Sequence, residues 1–346
     1  MNKPIKSYKA FDENLRCRGF QYEVGKEYDM NGDIQCCKRG FHACESPMEV
    51  WNYYDMLTSR FAEVEQSGKI STEADSTKIC SSRIKIKAEL KLADIINIGV
   101  EWLKDLTAPS KVKADGAELN DNGVRGAKIG SSGYSAQIGS SGDFAKIGSS
   151  GDFAKIGSSG YSAKIGSSGD SAQIGSSGYS AKIGSSGDFA QIGSSGDSAQ
   201  IGSSGDFAQI GSSGDFAKIG SSGDSAKIGS SGYSAQIGSS GDFAKIGSSG
   251  YSAQIGSSGY SAKIGSSGDS AKIDSTGEDS VIMCTGLGSV VKAKVGSWIT
   301  LAEWERDDRK GCLVPVCVKT ERVDGIKIKP DTWYKLQDGE FVEVTV

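Results

Sequence analysis

The chain contains a single histidine, and it stands among thiols. His42 follows Cys36 and Cys37 and precedes Cys44, with Cys17 further upstream. Three sulfurs and one imidazole nitrogen suit tetrahedral zinc, so Cys17, Cys37, His42 and Cys44 are the candidate metal ligands. Their Cys-x4-His-x-Cys core is not the spacing of a standard zinc knuckle. The same residues also read as a Cys–His nucleophile pair, although no third group that would orient the histidine stands out. The plainer reading is buried thiols and a hydrogen-bonded histidine in a small core. No cofactor is called for by the sequence.

These residues need a frame to hold them. Tyr8-Lys9-Ala10-Phe11 reads as a strand, and Gly19 to Gly25 as a second strand ending in a glycine turn. Asn31-Gly32 is a hairpin-turn signal. Ser46-Pro47-Met48-Glu49 offers an N-cap serine, a proline at N1 and a glutamate at N3, which predicts a helix carrying Val50, Trp51, Tyr53 and Tyr54. Phe61 to Glu65 is a further strand. Arg83 to Leu90 alternates, with Ile84, Ile86, Ala88 and Leu90 expected inward. Leu92 to Leu106 has the helical apolar face Ile95, Ile96, Val100, Leu103 and Leu106. Residues 1–106 therefore read as an α+β domain with its own core.

Four stretches of this domain carry a resemblance. They are Tyr8-Lys9-Ala10-Phe11, Cys17-Arg18-Gly19-Phe20-Gln21-Tyr22-Glu23-Val24-Gly25-Lys26, Gly40-Phe41-His42-Ala43-Cys44 and Tyr53-Tyr54. Together they resemble an N-terminal domain family of uncharacterised function, found in phage and prophage proteins ahead of Gly-Ser-rich repeats. The similarity spans roughly residues 7–92. It implies a phage or prophage origin and no particular activity. A weaker similarity is to ADP-ribosyltransferase-like folds, where a Gly-Phe strand precedes a helix and a later glutamate is catalytic. That similarity would give the role to Glu63 or Glu65, while the first strand lacks the expected His or Arg.

From about Gly130 to Ile273 the chain repeats Gly-Ser-Ser-Gly-(Asp/Tyr)-(Phe/Ser)-Ala-(Lys/Gln)-Ile, positions one to nine, with a degraded copy running to Val291. Nine is not a multiple of 3.6, and two glycines per unit disfavour a helix. Ala and Ile two apart share one face of a strand. The unit therefore reads as a strand, (Phe/Ser)-Ala-(Lys/Gln)-Ile, and a Gly-Ser-Ser-Gly turn whose glycines supply positive φ. One unit buries too little to stand alone. Stacked copies bury Ile on Ile and pair their backbones from coil to coil. Two units make the expected coil of 18 residues, giving about nine coils and a rod on the order of 40 Å long. A coil of three units is the alternative, and the variable positions show no clean two-unit alternation that would decide it.

The repeat resembles the calcium-binding nonapeptide roll in its length and in its first and fourth glycines. Asp143 and its equivalents stand one position early, however, and Tyr134, Tyr161 and Tyr179 replace them elsewhere, so calcium is not expected. Ice-binding solenoids present ranks of Thr, and the array has none before Thr276. Positions five and six never carry two rings in one unit, which predicts a packed or stacked aromatic ladder at the corners. Asp and Lys nearly cancel along the array. Neither a nucleic-acid mimic nor a nucleic-acid binder is indicated.

Beyond Val291, strands are expected at Trp298-Ile299-Thr300-Leu301, Val314 to Val318, Ile326 to Ile328, Asp331 to Leu336 and Phe341 to Val344, with turns at Asp324-Gly325 and Asp338-Gly339. The expected fold is mainly β. An α+β domain (1–106) leads through a linker or cap (107–126) to a nonapeptide-repeat β-solenoid (127–291) and a small β domain (292–346). No apolar leader or membrane span is visible, so a cytoplasmic or virion-associated protein is expected. The eight cysteines then read as reduced. A protein partner is expected, with a homo-oligomer possible, and an interaction or structural role is preferred to an enzymatic one.

Overall fold

The computed structural model describes residues 4–72, 76–106, 118–120 and 123–346. The chain divides into two compact units, Met1–Leu106 and Thr107–Val346.

In the first unit, β1 (Ile5–Phe11), β4 (Glu27–Asp29), β5 (Phe41–Cys44), β6 (Arg60–Thr72) and β7 (Lys78–Leu90) form one antiparallel sheet in the order β4-β7-β5-β1-β6. Because β6 also pairs with β7, the sheet closes on itself. A small ribbon, β2 (Arg16–Cys17) with β3 (Phe20–Gln21), lies outside it. Helix α1 (Leu92–Leu106) has the bounds its periodicity predicts, and Ile95, Ile96, Val100 and Leu103 are buried against Tyr8, Met48 and Trp51. A second cluster gathers Phe11, Tyr22, Phe41, Ala43, Val64, Ile84 and Ile86.

Three local expectations change. Pro47–Asn52 is a 3-10 helix, and Ser46 makes no side-chain cap. Glu49 instead accepts from the Thr77 N–H at 2.7 Å and the Thr77 hydroxyl at 2.6 Å, tying the helix to the start of β7. Ala88 is exposed rather than inward, because a register shift at Glu63/Val64 ends the clean alternation of β7. Beyond the ribbon strand Phe20–Gln21, the Gly19–Gly25 stretch does not form the longer strand expected.

The second unit is a two-sided parallel β-solenoid. Nineteen four-residue strands, β9 (Lys128–Ser131) to β27 (Val290–Ala293), recur every nine residues and alternate between two sheets. Ile147 pairs with Ile165 in one sheet and Ile138 with Ile156 in the other, so a coil is 18 residues and the two-unit expectation holds. About ten coils stack. The isoleucine column and the alanines at position seven are buried throughout.

The frame of the unit differs from the sequence reading. The strand is (Lys/Gln)-Ile-Gly-Ser, and the turn falls at positions four to six. Position-two serines therefore point inward; Ser167 and Ser203 are fully buried, and their hydroxyls find no hydrogen-bond partner among the described residues. In the last coils Cys284, Ala293 and Leu301 take this inward place, so the column asks for fit rather than for a hydroxyl.

Positive φ does not belong to the repeat glycines. It belongs to position six, where Phe144, Ser162, Phe207 and their equivalents all have φ near 57°. That conformation costs an L-residue about 1–2 kcal/mol. It aims each N–H along the stack: Phe144 donates to the Tyr161 carbonyl at 2.8 Å, and Ser198 to that of Asp215 at 2.7 Å. Glycine is required at position four for a different reason. A Cβ on Gly205 would overlap the Gly187 carbonyl oxygen one coil below, and the same holds along the array.

Position five has its own ladder. Asp152 Oδ1 accepts from the Asp170 N–H at 2.9 Å, and the pattern continues through Asp188, Asp206 and Asp224 to Asp242, which accepts from Tyr260. Rings from successive coils meet, with Tyr161–Tyr179 and Phe189–Phe207 stacked at 5.4 and 5.1 Å.

The expected linker or cap at 107–126 lies mostly outside the described residues. Within it β8 (Glu118–Asn120) already pairs with the Gln137–Ser140 strand as a rung of the solenoid. At the other end β28 (Trp298–Asp307) continues one sheet in parallel, then pairs antiparallel with β29 (Cys312–Arg322). The hairpin β30 (Tyr334–Gln337) and β31 (Glu340–Glu343) closes the other sheet against β27. Its turn has Asp338 and Gly339 at φ 51° and 68°, as a two-residue hairpin requires. Ile326–Ile328 is not a strand; Asp324 Oδ1 accepts from the N–H groups of Ile326, Lys327 and Ile328 and holds them as a turn. These hairpins cover sheet edges that would otherwise template association.

Candidate functional site

Among the described residues, the site with most chemical variety lies in the first unit, around β1 and β5. Alternation on β1 sends Tyr8 and Ala10 to the helix-side core and leaves Lys9 on the face of Phe11. Lys9 is 4% exposed. Its ammonium donates to the His42 carbonyl at 2.9 Å and approaches Cys17 Sγ at 3.5 Å, with the rings of Phe11 and Tyr22 each 5.5 Å away. Burial lowers the Lys9 pKa, and the neighbouring Cys17 opposes that shift. A buried cation bonded to a carbonyl and a thiol rather than to a carboxylate is costly.

The zinc candidates are not gathered as ligands. His42 Nε2 accepts the Cys37 backbone N–H at 2.9 Å, so the nitrogen is occupied. Lys78 Nζ donates to Cys37 Sγ at 3.0 Å. Cys17 Sγ accepts from the Tyr54 hydroxyl at 2.7 Å. Cys44 is buried in the helix-side core. Among the described residues no three His, Cys, Asp or Glu side chains are grouped to hold a metal ion. Burial, and then the charges of Lys9, Lys78 and Arg18, push the His42 pKa down to about 4, which leaves a neutral imidazole as acceptor at pH 7. Burial and its bond to Cys17 raise the Tyr54 pKa. Behind β5, Gly40 has φ 132° and a Cβ there would overlap Cys80 Sγ, so only glycine lets the strand pass. Burial pushes the Cys80 thiol up to about 11.

Lys9, Cys17, Cys37, His42, Cys44 and Tyr54 line a cavity of about 570 Å³. Phe20, Tyr22, Tyr28 and Phe41 make one ring cluster on it, with Phe20–Tyr22 and Phe20–Tyr28 centroids 4.8 and 5.3 Å apart, both edge-on. Tyr53 lines it too, with Lys78 Nζ 4.3 Å from the Tyr53 ring centre. Five cations contribute: Lys9, Arg18, Lys38, Arg39 and Lys78. Glu63 and Glu65 are not among its lining residues. They lie on β6 in ion pairs with Lys6 and Lys87, each at 2.9 Å. The cleft that would join a catalytic glutamate to His42 is therefore not assembled.

Residues 5–98 match a family described as a domain of unknown function, DUF7666. The DUF7666 stretch contains every residue that lines the cavity. It agrees with the span of roughly residues 7–92 expected from the resemblance, and it leaves the solenoid outside. No curated protein and no solved structure matches the chain.

Sequence reading found His42 and the thiols but passed over the cations. The signal for Lys9 was present: a lysine inside the run Tyr8-Lys9-Ala10-Phe11, where neighbours on both sides are core residues. Arg18, with φ 49°, and Lys38 are surface residues whose convergence depends on the fold.

Proposed function

We propose that the chain is a non-enzymatic interaction protein in which the β-solenoid is a rigid structural element and the terminal regions engage a protein partner. The observation that supports this reading is the unbroken register of the stack. From β8 to β28 each coil pairs with the next, and the inward side chains of the array are committed to packing. Such a device suits display or spacing rather than turnover. A phage or prophage source, and hence a host or virion partner, rests on the resemblance of the N-terminal stretches.

The test is affinity purification of the intact chain from the cells that make it, then reconstitution of any captured protein with purified chain. A stoichiometric complex is expected. Turnover of a nucleotide substrate by the purified chain, or no complex that survives reconstitution, overturns the reading.

A further inference from the structure

The cavity of the DUF7666 domain is lined, among the described residues, by more cations than carboxylates. Its five cations face two lining carboxylates, Glu27 and Asp29. Both of those are engaged by Arg83, at 3.2 and 2.8 Å, and Arg83 does not line the cavity. Among the described residues neither Arg18 nor Lys38 meets a carboxylate, and Lys9 is buried without one. Lys9 is desolvated whereas Arg18 and Lys38 are exposed, and an anion entering beside the three is stabilised by their charge.

The walls supply the second half of the recognition. The Phe20, Tyr22, Tyr28 and Phe41 cluster offers flat apolar surface, and Phe20 is 45% exposed where it borders the cavity. Aromatic walls suit a planar ring. A bare inorganic anion would leave that surface unused, and a purely apolar molecule would leave the cations unpaired. The volume falls within the roughly 300–1,000 Å³ typical of small-molecule sites. A polymer is a poor fit to such a concavity, and the chain's net charge of −4 does not draw nucleic acid.

We propose that this cavity binds a small aromatic anion, a flat ring bearing a phosphate or carboxylate, of the size of a nucleoside monophosphate. Arg18 and Lys38 guide the anionic group, Lys9 lies behind it, and the Phe20 cluster carries the ring. Such a ligand would occupy the cavity independently of any protein partner.

Calorimetric titration of the full chain tests it, with AMP, UMP, phenyl phosphate and benzoate as ring-bearing anions and adenosine and inorganic phosphate as controls. At least one ring-bearing anion is expected to bind once per chain, at least tenfold tighter than either control. The double variant Arg18→Asn, Lys38→Gln changes only exposed side chains, and asparagine tolerates the positive φ at position 18. It is expected to keep the thermal unfolding midpoint and weaken binding at least tenfold. Lys9→Met should abolish binding; if that variant fails to fold, the double variant carries the test alone. No saturable binding of any ring-bearing anion, or binding unchanged in the double variant, overturns the proposal.

Discussion

His42 shows how one residue's environment decides its chemistry. In the unfolded chain its imidazole takes a proton near pH 6.5; in the fold it does so at about 4, because burial and three nearby cations oppose the charge. Between those values the unfolded state binds more protons, so stability is full above 6.5 and is lost as pH falls toward 4. A shift of that size corresponds to about 3 kcal/mol for a fully buried ring. Solvent screening of this half-buried one brings it to roughly 1–2 kcal/mol. Tryptophan-monitored unfolding at pH 6.5 and pH 4 should show that excess loss in the native chain relative to His42→Gln. Equal losses in both would remove the assignment.

Within the nonapeptide, the two glycines play different parts. Gly205, at position four, passes against the Gly187 carbonyl of the coil below with no room for a methyl group, whereas Gly211, at position one, has open space where a Cβ would stand. Gly205→Ala is expected to destabilise by about 3 kcal/mol, since the clash is with backbone and cannot relax by a side-chain turn. Gly211→Ala should change stability by no more than about 1 kcal/mol and in the stabilising direction, through lost freedom in the unfolded chain. Chemical denaturation of the two variants separates them, and equal costs would contradict the stacking contact. The same contact explains why the turn could not be placed from composition alone. Glycine usually marks positive φ, but here the phenylalanines and serines of position six adopt it, repaid by a hydrogen bond to the next coil.

On the scale of the solenoid, stability is a sum over neighbouring coils. Removing residues 182–217 takes out two whole coils and rejoins Ala181 to Lys218, leaving each remaining strand in its own sheet. The shortened chain is expected to keep its strand signal per residue and to lose about 10 Å of solenoid length. Circular dichroism and cryo-electron microscopy measure the two quantities. Loss of strand signal beyond the deleted residues would show that the coils are not equivalent.

A strict nine-residue beat of Ile and Ala was enough to determine a stacked β architecture, because such a pair has nothing to bury against except its own copies. Helix α1 was equally legible, since its apolar face repeats at the helical period. The coil size was present but hidden. Read every 18 residues, position five gives six aspartates in succession, Asp152 to Asp242, and the structure shows them as one hydrogen-bonded column. What the tertiary structure alone decided is the content of the cavity. Lys9, Arg18, Lys38 and Lys78 lie on separate strands and loops, and only closure of the sheet around them places their charges on one cavity. That closure also spends His42 and the thiols on hydrogen bonds, so residues that look like metal ligands in the linear chain became its supports.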